Sequence, residues 1–107
     1  MISYEDFKKV DMKIGTVVSA EPHPDADRLM VLKVDLGDQE KQVVAGLKEY
    51  YSFENIVGKQ VVIAANLESV KLCGVESHGM VLAAEDSKGN VCLLTTDKNV
   101  ENGARVL

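Results

Sequence analysis

The sequence predicts an all-β domain, a small five-stranded barrel with short helices before its first strand and between two of its strands, and with extra C-terminal strands. Polar and apolar residues alternate over Asp11 to Glu21 and Leu29 to Leu36, a pattern typical of half-buried strands. Two continuous apolar runs, "QVVIAANL" and "MVLAA", are typical of strands buried on both faces. A chain of 107 residues, 46% of them hydrophobic, has room for one domain with a modest core.

The first elements are a short helix and a long strand. Ser3 suits the N-cap of the helix, which we expect to run about two turns. From Asp11 the alternation predicts a strand with five residues on one face. These are Met12, Ile14, Thr16, Val18 and Ala20. Gly15 lies in this strand, where it either permits the bend of a coiled barrel strand or simply weakens the strand.

The second and third strands are predicted to form a hairpin. "PHPDAD" is a loop by composition, and the alternation that follows predicts a strand with four apolar residues on one side. These are Met30, Leu32, Val34 and Leu36. The other side carries Lys33. Gly37 and Asp38 predict a hairpin turn into a third strand near Gln42 to Ala45.

A second short helix precedes the remaining strands. Ser52 suits its N-cap, the helix should run from Phe53 to Val57, and Gly58 suits the left-handed position after its end. The two apolar runs are the fourth and fifth strands, "DSKGN" predicts a turn, "VCLLTT" a sixth strand and "GARVL" a short terminal strand. Three strands, a helix and two strands follow the order of the OB-fold, a Greek-key barrel whose second and third strands and adjoining loops form a binding face.

Charge and composition argue against several classes of protein. The chain holds 17 acidic and 12 basic residues, a net charge of -5, so any nucleic-acid site must be local. No stretch approaches the roughly 20 apolar residues that span a bilayer, and "MISYEDFKKV" lacks the order of a signal peptide. We therefore expect a cytoplasmic protein without membrane contact, with Cys73 and Cys92 as reduced thiols.

No motif for catalysis or metal binding occurs in the sequence. It has no Gly-rich phosphate loop, nucleophile elbow or metal-binding helix motif. Asp25 and Asp27 are paired only by sequence proximity, and aspartates of proline-flanked turns usually bond backbone N–H groups. Four residues could be imagined as zinc ligands but lack any familiar ligand spacing. They are His23, Cys73, His78 and Cys92. We therefore expect a binding module that is not an enzyme and holds no metal or other cofactor.

Six stretches, which lead along nearly the whole chain to the C-terminal strands, follow the pattern of a known family. They are "YEDFKKVDMKIGTV", "HPDADRLMVLKVDLG", "VVAGL", "YY", "ENIVGKQVVIAANL" and "GVESHGM". With them the sequence resembles the tRNA-binding domain family. That family includes stand-alone structure-specific tRNA-binding proteins, the C-terminal domain or β subunit of methionyl-tRNA synthetases, an endothelial monocyte-activating polypeptide and a secretion-related chaperone. The resemblance implies one tRNA-binding OB-fold domain over residues 1–107, with the barrel at about 11–84 and a dimerisation extension at about 85–107.

The segment "ANLESVKLCGVESHGM", Ala65 to Met80, matches the motif that family members carry between the fourth and fifth strands. The matching residues are Asn66, Leu67, Lys71, Gly74, Ser77, Gly79 and Met80. Asn and Ser can hydrogen-bond base edges or a 2′-hydroxyl, Lys can neutralise phosphate, and Met can lie against an unstacked base. Ser69 stands where relatives usually have proline, and Val70 and Cys73 replace residues that are often basic or large and apolar.

From this resemblance we predict eight residues that contact tRNA. They are Lys13, Arg28, Lys33, Asn66, Lys71, Ser77, His78 and Met80. Lys71 is the best placed of the basic residues, because no other Lys or Arg lies between Gln60 and Ala84. For the other three basic residues, solvated surface is an equally good interpretation. His78 is either a stacking ring or a polar residue at a strand start, and Met80 has core packing as its alternative.

Attraction to tRNA must come from the arrangement of a few lysines. We expect the exposed faces of the first two strands to bring Lys13 and Lys33 together and the motif to add Lys71, a set that a dimer doubles. The dimer interface is expected at the N-terminal helix and the strands after Ala84, whose apolar residues need a further surface to cover them.

Two functions of different class follow from the resemblance. The first is a structure-specific tRNA-binding module that assists methionyl-tRNA synthetase, in trans or as its C-terminal or β-subunit domain. Its expected partners are tRNA, a second copy of the chain and the synthetase catalytic chain. The alternative is a dimeric chaperone-like protein that binds extended peptides in the same groove, which the acidic net charge favours.

Overall fold

The computed structural model describes all 107 residues as two short helices and nine strands. The helices are α1 (Tyr4–Lys8) and α2 (Phe53–Ile56). The strands are β1 (Met12–Pro22), β2 (Met30–Asp35), β3 (Glu40–Ala45), β4 (Gln60–Ala64), β5 (Val70–Leu72), β6 (Val75–Ser77), β7 (Met80–Val81), β8 (Ala83–Glu85) and β9 (Val91–Leu93). Neither helix has the length and apolarity needed to cross a membrane.

Five strands form the predicted barrel. They pair in the order β3-β2-β1-β4-β7, and every pair is antiparallel. The barrel closes where β3 meets the segment between β6 and β7, because the backbone N–H of His78 donates to the carbonyl of Gln42 at 2.8 Å. The predicted fold class, an OB-like all-β barrel, is therefore confirmed.

The first strand changes partner halfway along its length. Residues 12–16 of β1 pair with β4, and residues 16–22 pair with β2. The C-terminal segment lies beside the first half of β1, where Ile14 donates to Ala104 at 2.8 Å and accepts from Gly103 at 2.7 Å through backbone groups. The predicted terminal strand is thus present as a single bridge between Lys13 and Arg105.

Gly15 permits a close approach of strands inside the barrel. A Cβ at this position would lie 2.5 Å from Cγ1 of Val34 and 2.8 Å from the backbone oxygen of Asp35. Only a residue without a side chain fits there. The structure therefore favours the first interpretation of Gly15, since the strand needs the glycine where it bends between its two partners.

The prediction that five alternating residues of β1 share one face is correct only in part. The side chain of Val17 is 0% exposed and that of Val18 is 42% exposed. A β-bulge shifts the register between Val17 and Ser19, and an extra residue in one strand inverts the alternation of faces beyond it. In the first half of β1, Gly15 and Val17 of the other set are buried, and of the predicted set only Ile14, which is 6% exposed, and Ala20, which packs against the core, agree with the prediction.

Several other predicted features of the first half of the chain are confirmed, although α1 has only five residues where about two turns were expected. The four apolar residues from Met30 to Leu36 are buried in the core. Ser52 caps α2, where its Oγ accepts from the backbone N–H of Asn55 at 3.0 Å. The helix ends one residue earlier than predicted, and Gly58 has a φ of +91°.

The region after β4 differs most from the prediction. The predicted strand "QVVIAANL" ends at Ala64, and "MVLAA" breaks into β7 and β8 because the chain leaves the barrel there to pair with β9. The prediction that "MVLAA" is buried on both faces is wrong, since Ala83 and Ala84 are exposed. Between β4 and β7 lies an additional hairpin, β5–β6, whose turn residues Cys73 and Gly74 have φ values of +50° and +88°, as in a type I′ turn.

Candidate nucleic-acid interface

The outer face of β2 and β3 lies between two projecting segments, the loop 23–29 and the hairpin β5–β6; we call it the groove face. Ser19, Lys33 and Gln42 lie side by side across β1, β2 and β3 on this face. In OB-folds this face and the loops beside it bind ligands. The bulge in β1 contributes to the face, because it turns Ser19 outward beside Lys33.

Lys71 is the predicted site residue best placed for a phosphate. It lies in β5, is exposed and faces Glu76 across the hairpin. No ion pair or hydrogen bond occupies its ammonium group in the structure, so it is free to meet an anion. Glu76 offsets part of its charge, which weakens the local attraction to RNA.

Two predicted contact residues have structural roles instead. The side chain of Ser77 is 2% exposed, and its hydroxyl accepts from the N–H of Val44 at 3.0 Å and donates to the carbonyl of Gly79 at 2.9 Å. The amide of Asn66 accepts from the N–H of Asp11 at 2.8 Å and donates to the carbonyl of Lys9 at 2.7 Å. The side chains of Ser77 and Asn66 are therefore occupied by backbone partners, and their role is to hold the fold.

His78 and Met80 both remain accessible beside the hairpin. The Nδ1 atom of His78 lies 2.8 Å from Oγ of Ser69, and its Nε2 lies 3.4 Å from a carboxylate oxygen of Glu76. The ring lines a shallow cleft of about 360 Å³ between β3 and Leu67. Met80 is 49% exposed, so its alternative interpretation as a core residue is wrong and its thioether can meet a ligand.

The structure separates Lys13 from Lys33, contrary to the sequence-based expectation. Lys13 pairs with Ile63 in the first half of β1, whereas Lys33 pairs with Ser19 in the second half. Six residues of extended strand span about 20 Å, and the bulge places the two lysines on opposite faces. Lys13 instead lies 3.6 Å from a carboxylate oxygen of Asp11, outside the groove face.

Arg28 is the third basic residue at the groove face, beside Lys33 and Lys71. It lies in the loop 23–29, and its Nε is 3.2 Å from Oε1 of Glu49. The side chain is 83% exposed, so this ion pair is weak and can exchange for a phosphate. Arg28, Lys33 and Lys71 thus surround the groove face on three segments, and hydrogen-bonding side chains lie among them.

One residue of this region was considered in the sequence only as a zinc ligand. His23 is 5% exposed and its ring contacts both segments that flank the groove face. Its position at the start of a Pro- and Asp-rich loop gives no signal that the ring is buried. No group of three His, Cys, Asp or Glu side chains in the structure is arranged to hold a metal ion.

Sequence comparison gives a family match over most of the chain. The profile of the tRNA binding domain matches residues 12–105. A methionine–tRNA ligase of Thermococcus onnurineus is 52% identical over 98% of this chain, and one of Methanocaldococcus jannaschii is 51% identical over the same share. The chain spans only 14% and 16% of the length of these two relatives.

Solved structures with the same fold include a protein related to methionyl-tRNA synthetase and a chaperone. A MetRS related protein from Pyrococcus horikoshii is 36% identical with a TM-score of 0.94, covering 100% of this chain and 98% of that one. The chaperone CsaA of Bacillus anthracis is 31% identical with a TM-score of 0.90, covering 100% of this chain and 99% of that one. Both similarities extend over the barrel and the C-terminal strands.

Proposed function

Because the chain belongs to the tRNA-binding domain family, we propose that it is a structure-specific tRNA-binding module that assists methionyl-tRNA synthetase. It acts in trans or as the C-terminal or β-subunit domain of that enzyme, in the cytoplasm where tRNA is aminoacylated. The observation that supports this most is the match of 98% of the chain, at 52% identity, to a methionine–tRNA ligase. The module itself is proposed to be non-catalytic, since it supplies binding and leaves the chemistry to the synthetase.

The groove face is suited to bind tRNA through the phosphate backbone of the RNA. Arg28, Lys33 and Lys71 are exposed and come from three different segments, so they can follow a phosphate backbone over some distance. Phosphate contacts position RNA without reading its sequence. His78 and Met80 add surfaces on which an unpaired base can lie. We therefore propose recognition of the shape of tRNA and not of its anticodon.

A homodimer is part of the proposal. Several large apolar side chains of α1 and the C-terminal segment are exposed in the single chain, a feature that marks an interaction surface when such residues are contiguous. They include Tyr4 at 71%, Leu94 at 43% and Leu107 at 90%. A two-fold interface would cover them and would double the cations offered to one tRNA.

A second candidate function is favoured by one specific observation, the similarity to the chaperone CsaA over the whole chain. The net charge of -5 also suits a groove that binds peptide more readily than RNA. Under this alternative the same face binds extended peptides.

Competition between the two ligands tests the proposal. Purified protein is mixed with labelled tRNA and with a labelled unfolded polypeptide, and retention of each is measured. The proposal expects tRNA to be retained, to be released by salt and to displace the polypeptide. Retention of the polypeptide alone would support the chaperone function. In a second assay, addition of the protein to a methionyl-tRNA synthetase catalytic chain should lower the KM for tRNA while leaving kcat nearly unchanged.

A further inference from the structure

We propose that His23 is a positioning residue, whose ring joins the hairpin β5–β6 to the loop 23–29 and thereby fixes where Lys71 meets RNA. The inference rests on the proposed function of the groove face, but the hydrogen bonds that support it do not depend on that function. His23 directly follows the long first strand, at the start of the loop 23–29, and its ring reaches the hairpin β5–β6.

The contacts of the ring define its protonation state. Its Nε2 lies 2.9 Å from the carbonyl oxygen of Leu72, and its Nδ1 lies 2.9 Å from the backbone nitrogen of Asp25. A carbonyl can only accept and a backbone N–H can only donate, so the ring donates through Nε2 and accepts at Nδ1. His23 is therefore the neutral Nε2–H tautomer, and both of its polar atoms are satisfied in a site that is 5% exposed.

The two strands of the hairpin are attached to the barrel differently. On the β6 side, the Nε2 of Gln42 donates to the carbonyl of Glu76 at 2.9 Å, and Ser77 is buried in the closure of the barrel. On the β5 side, the bond from His23 to Leu72 is the only hydrogen bond that joins this strand to anything outside the hairpin. Loss of the ring would therefore leave the strand that carries Lys71 attached only through its pairing with β6 and the contact of Ser69 with His78, while β6 keeps its own bonds to the barrel.

This attachment matters for binding because Lys71 directly precedes Leu72, the residue that His23 holds. A hairpin that is fixed in the free protein need not be ordered when RNA binds, so less of the binding free energy is lost to ordering. A hairpin held on one side only would have to be ordered on binding. We therefore expect removal of the contact to weaken tRNA binding although Lys71 itself is unchanged.

Two substitutions separate the two hydrogen bonds of the ring. In His23→Asn, the side-chain oxygen can still accept from the N–H two residues on, as asparagine commonly does in turns, but the side chain is too short to reach Leu72. In His23→Gln, the side-chain nitrogen can reach Leu72 while the bond within the loop is lost. Both variants lose the volume of the ring, so each is a packing control for the other.

The first readout requires no RNA. Amide hydrogen exchange of residues 70–77 should become faster in His23→Asn and stay close to wild type in His23→Gln. Unchanged exchange in a folded His23→Asn would overturn the inference whatever the tRNA result. Should His23→Asn fail to fold, ¹⁵N NMR of the wild-type ring decides the matter, because a ring protonated at Nδ1 is incompatible with the proposed contacts.

The second readout is a double-mutant cycle on tRNA affinity. His23→Asn should weaken binding by about 2- to 10-fold, the range that one hydrogen bond contributes, and Lys71→Ala should cost less in that background than in wild type. Additive effects of the two substitutions would show that His23 does not act through Lys71 and would overturn the positioning role. If wild-type protein binds no tRNA, the proposed function fails, and the exchange measurement still decides whether His23 holds the hairpin.

Discussion

The backbone N–H of Val44 donates to the hydroxyl of Ser77 at 3.0 Å, which joins β3 to the end of β6 through a side chain where the barrel lacks a regular pair of strands. The same hydroxyl donates to the carbonyl of Gly79. The segment from Ser77 to Gly79 therefore closes the barrel at this point. Under the proposed function, recognition of RNA falls to its exposed neighbours, among them Lys71 and Met80.

Replacement of Ser77 should destabilise the fold. Ser77→Ala leaves the buried N–H of Val44 without its partner, and an unsatisfied buried donor costs about 1 to 3 kcal/mol. Urea denaturation should therefore show a lower free energy of unfolding at an unchanged m-value. Ser87→Ala is the matched control, because Ser87 is exposed in the turn after β8. Equal stability of the two variants would contradict the role of Ser77 in closing the barrel.

A methyl group at Gly15 should be poorly tolerated. In Gly15→Ala the new Cβ would lie 2.8 Å from the backbone oxygen of Asp35, which cannot move without shifting β2. Overpacking of this kind costs about 1 to 3 kcal/mol. Gly46→Ala is the control, since its nearest neighbour would be a side-chain atom of Leu29 at 3.9 Å. Thermal denaturation that gives the same Tm for both variants would count against a close approach at Gly15.

The turn after β8 should keep one carboxylate ionised to unusually low pH. Hydrogen bonds from the side chain and then the backbone of Asn90, and from the backbone of Lys88, lower the pKa of Asp86 from its ordinary value of 3.8. A lowered folded-state pKa means that this contribution to stability is present above about pH 3.8 and is lost as the pH falls through the folded-state pKa.

NMR titration of the Asp86 carboxyl group is the measurement for this turn. The wild-type midpoint should fall below 3.8, and Asn90→Ala should raise it, because the side-chain hydrogen bond is the largest cause of the shift. Identical midpoints in the two proteins would show that Asn90 does not stabilise the ionised form.

Light scattering should give twice the monomer mass at micromolar concentration. The apolar residues of α1 and the C-terminal segment need a covering surface, and Leu94 is 43% exposed among them. Leu94→Lys should shift the protein toward monomer, because a buried unpaired charge is costly. Val18→Lys is the control, since Val18 is equally exposed at 42% but lies at the bulge of β1. Monomer mass for the wild-type protein would contradict the proposed dimer.

The sequence predicts the fold correctly where the alternation of polar and apolar residues runs without interruption. The row from Met30 to Leu36 alternates regularly and is buried as expected. β1 has the same pattern, but the bulge at Val18 inverts its faces, and no residue type in the strand indicates an insertion. The hairpin β5–β6 escaped prediction because its strands have three residues each and its turn places Cys73 where Gly or Asn is usual.

The candidate site could be predicted from sequence only in part. An exposed cation such as Lys71 can be recognised because it is the only Lys or Arg between Gln60 and Ala84. The sequence does not distinguish Asn66 and Ser77 from residues that contact RNA. A polar side chain that hydrogen-bonds a backbone group far away in the sequence looks the same in the sequence as one that faces solvent. The separation of Lys13 from Lys33 depends on the change of partner along β1, which is a tertiary property.

The most direct test of the account is filter binding of tRNA across a salt series. We expect wild-type protein to retain tRNA at low ionic strength, with a logarithm of affinity that falls linearly and with a shallow slope against the logarithm of salt concentration. Lys71→Ala should reduce that slope by about 0.7 to 0.9, the share of one phosphate contact, and weaken different tRNAs alike.

Lys88→Ala, which removes an exposed lysine from the turn after β8, should leave the slope of this plot unchanged. No retention of tRNA by wild-type protein at the lowest salt would contradict the central claim that this chain binds tRNA. Equal slopes for wild type and Lys71→Ala would contradict the placement of the site on the hairpin β5–β6.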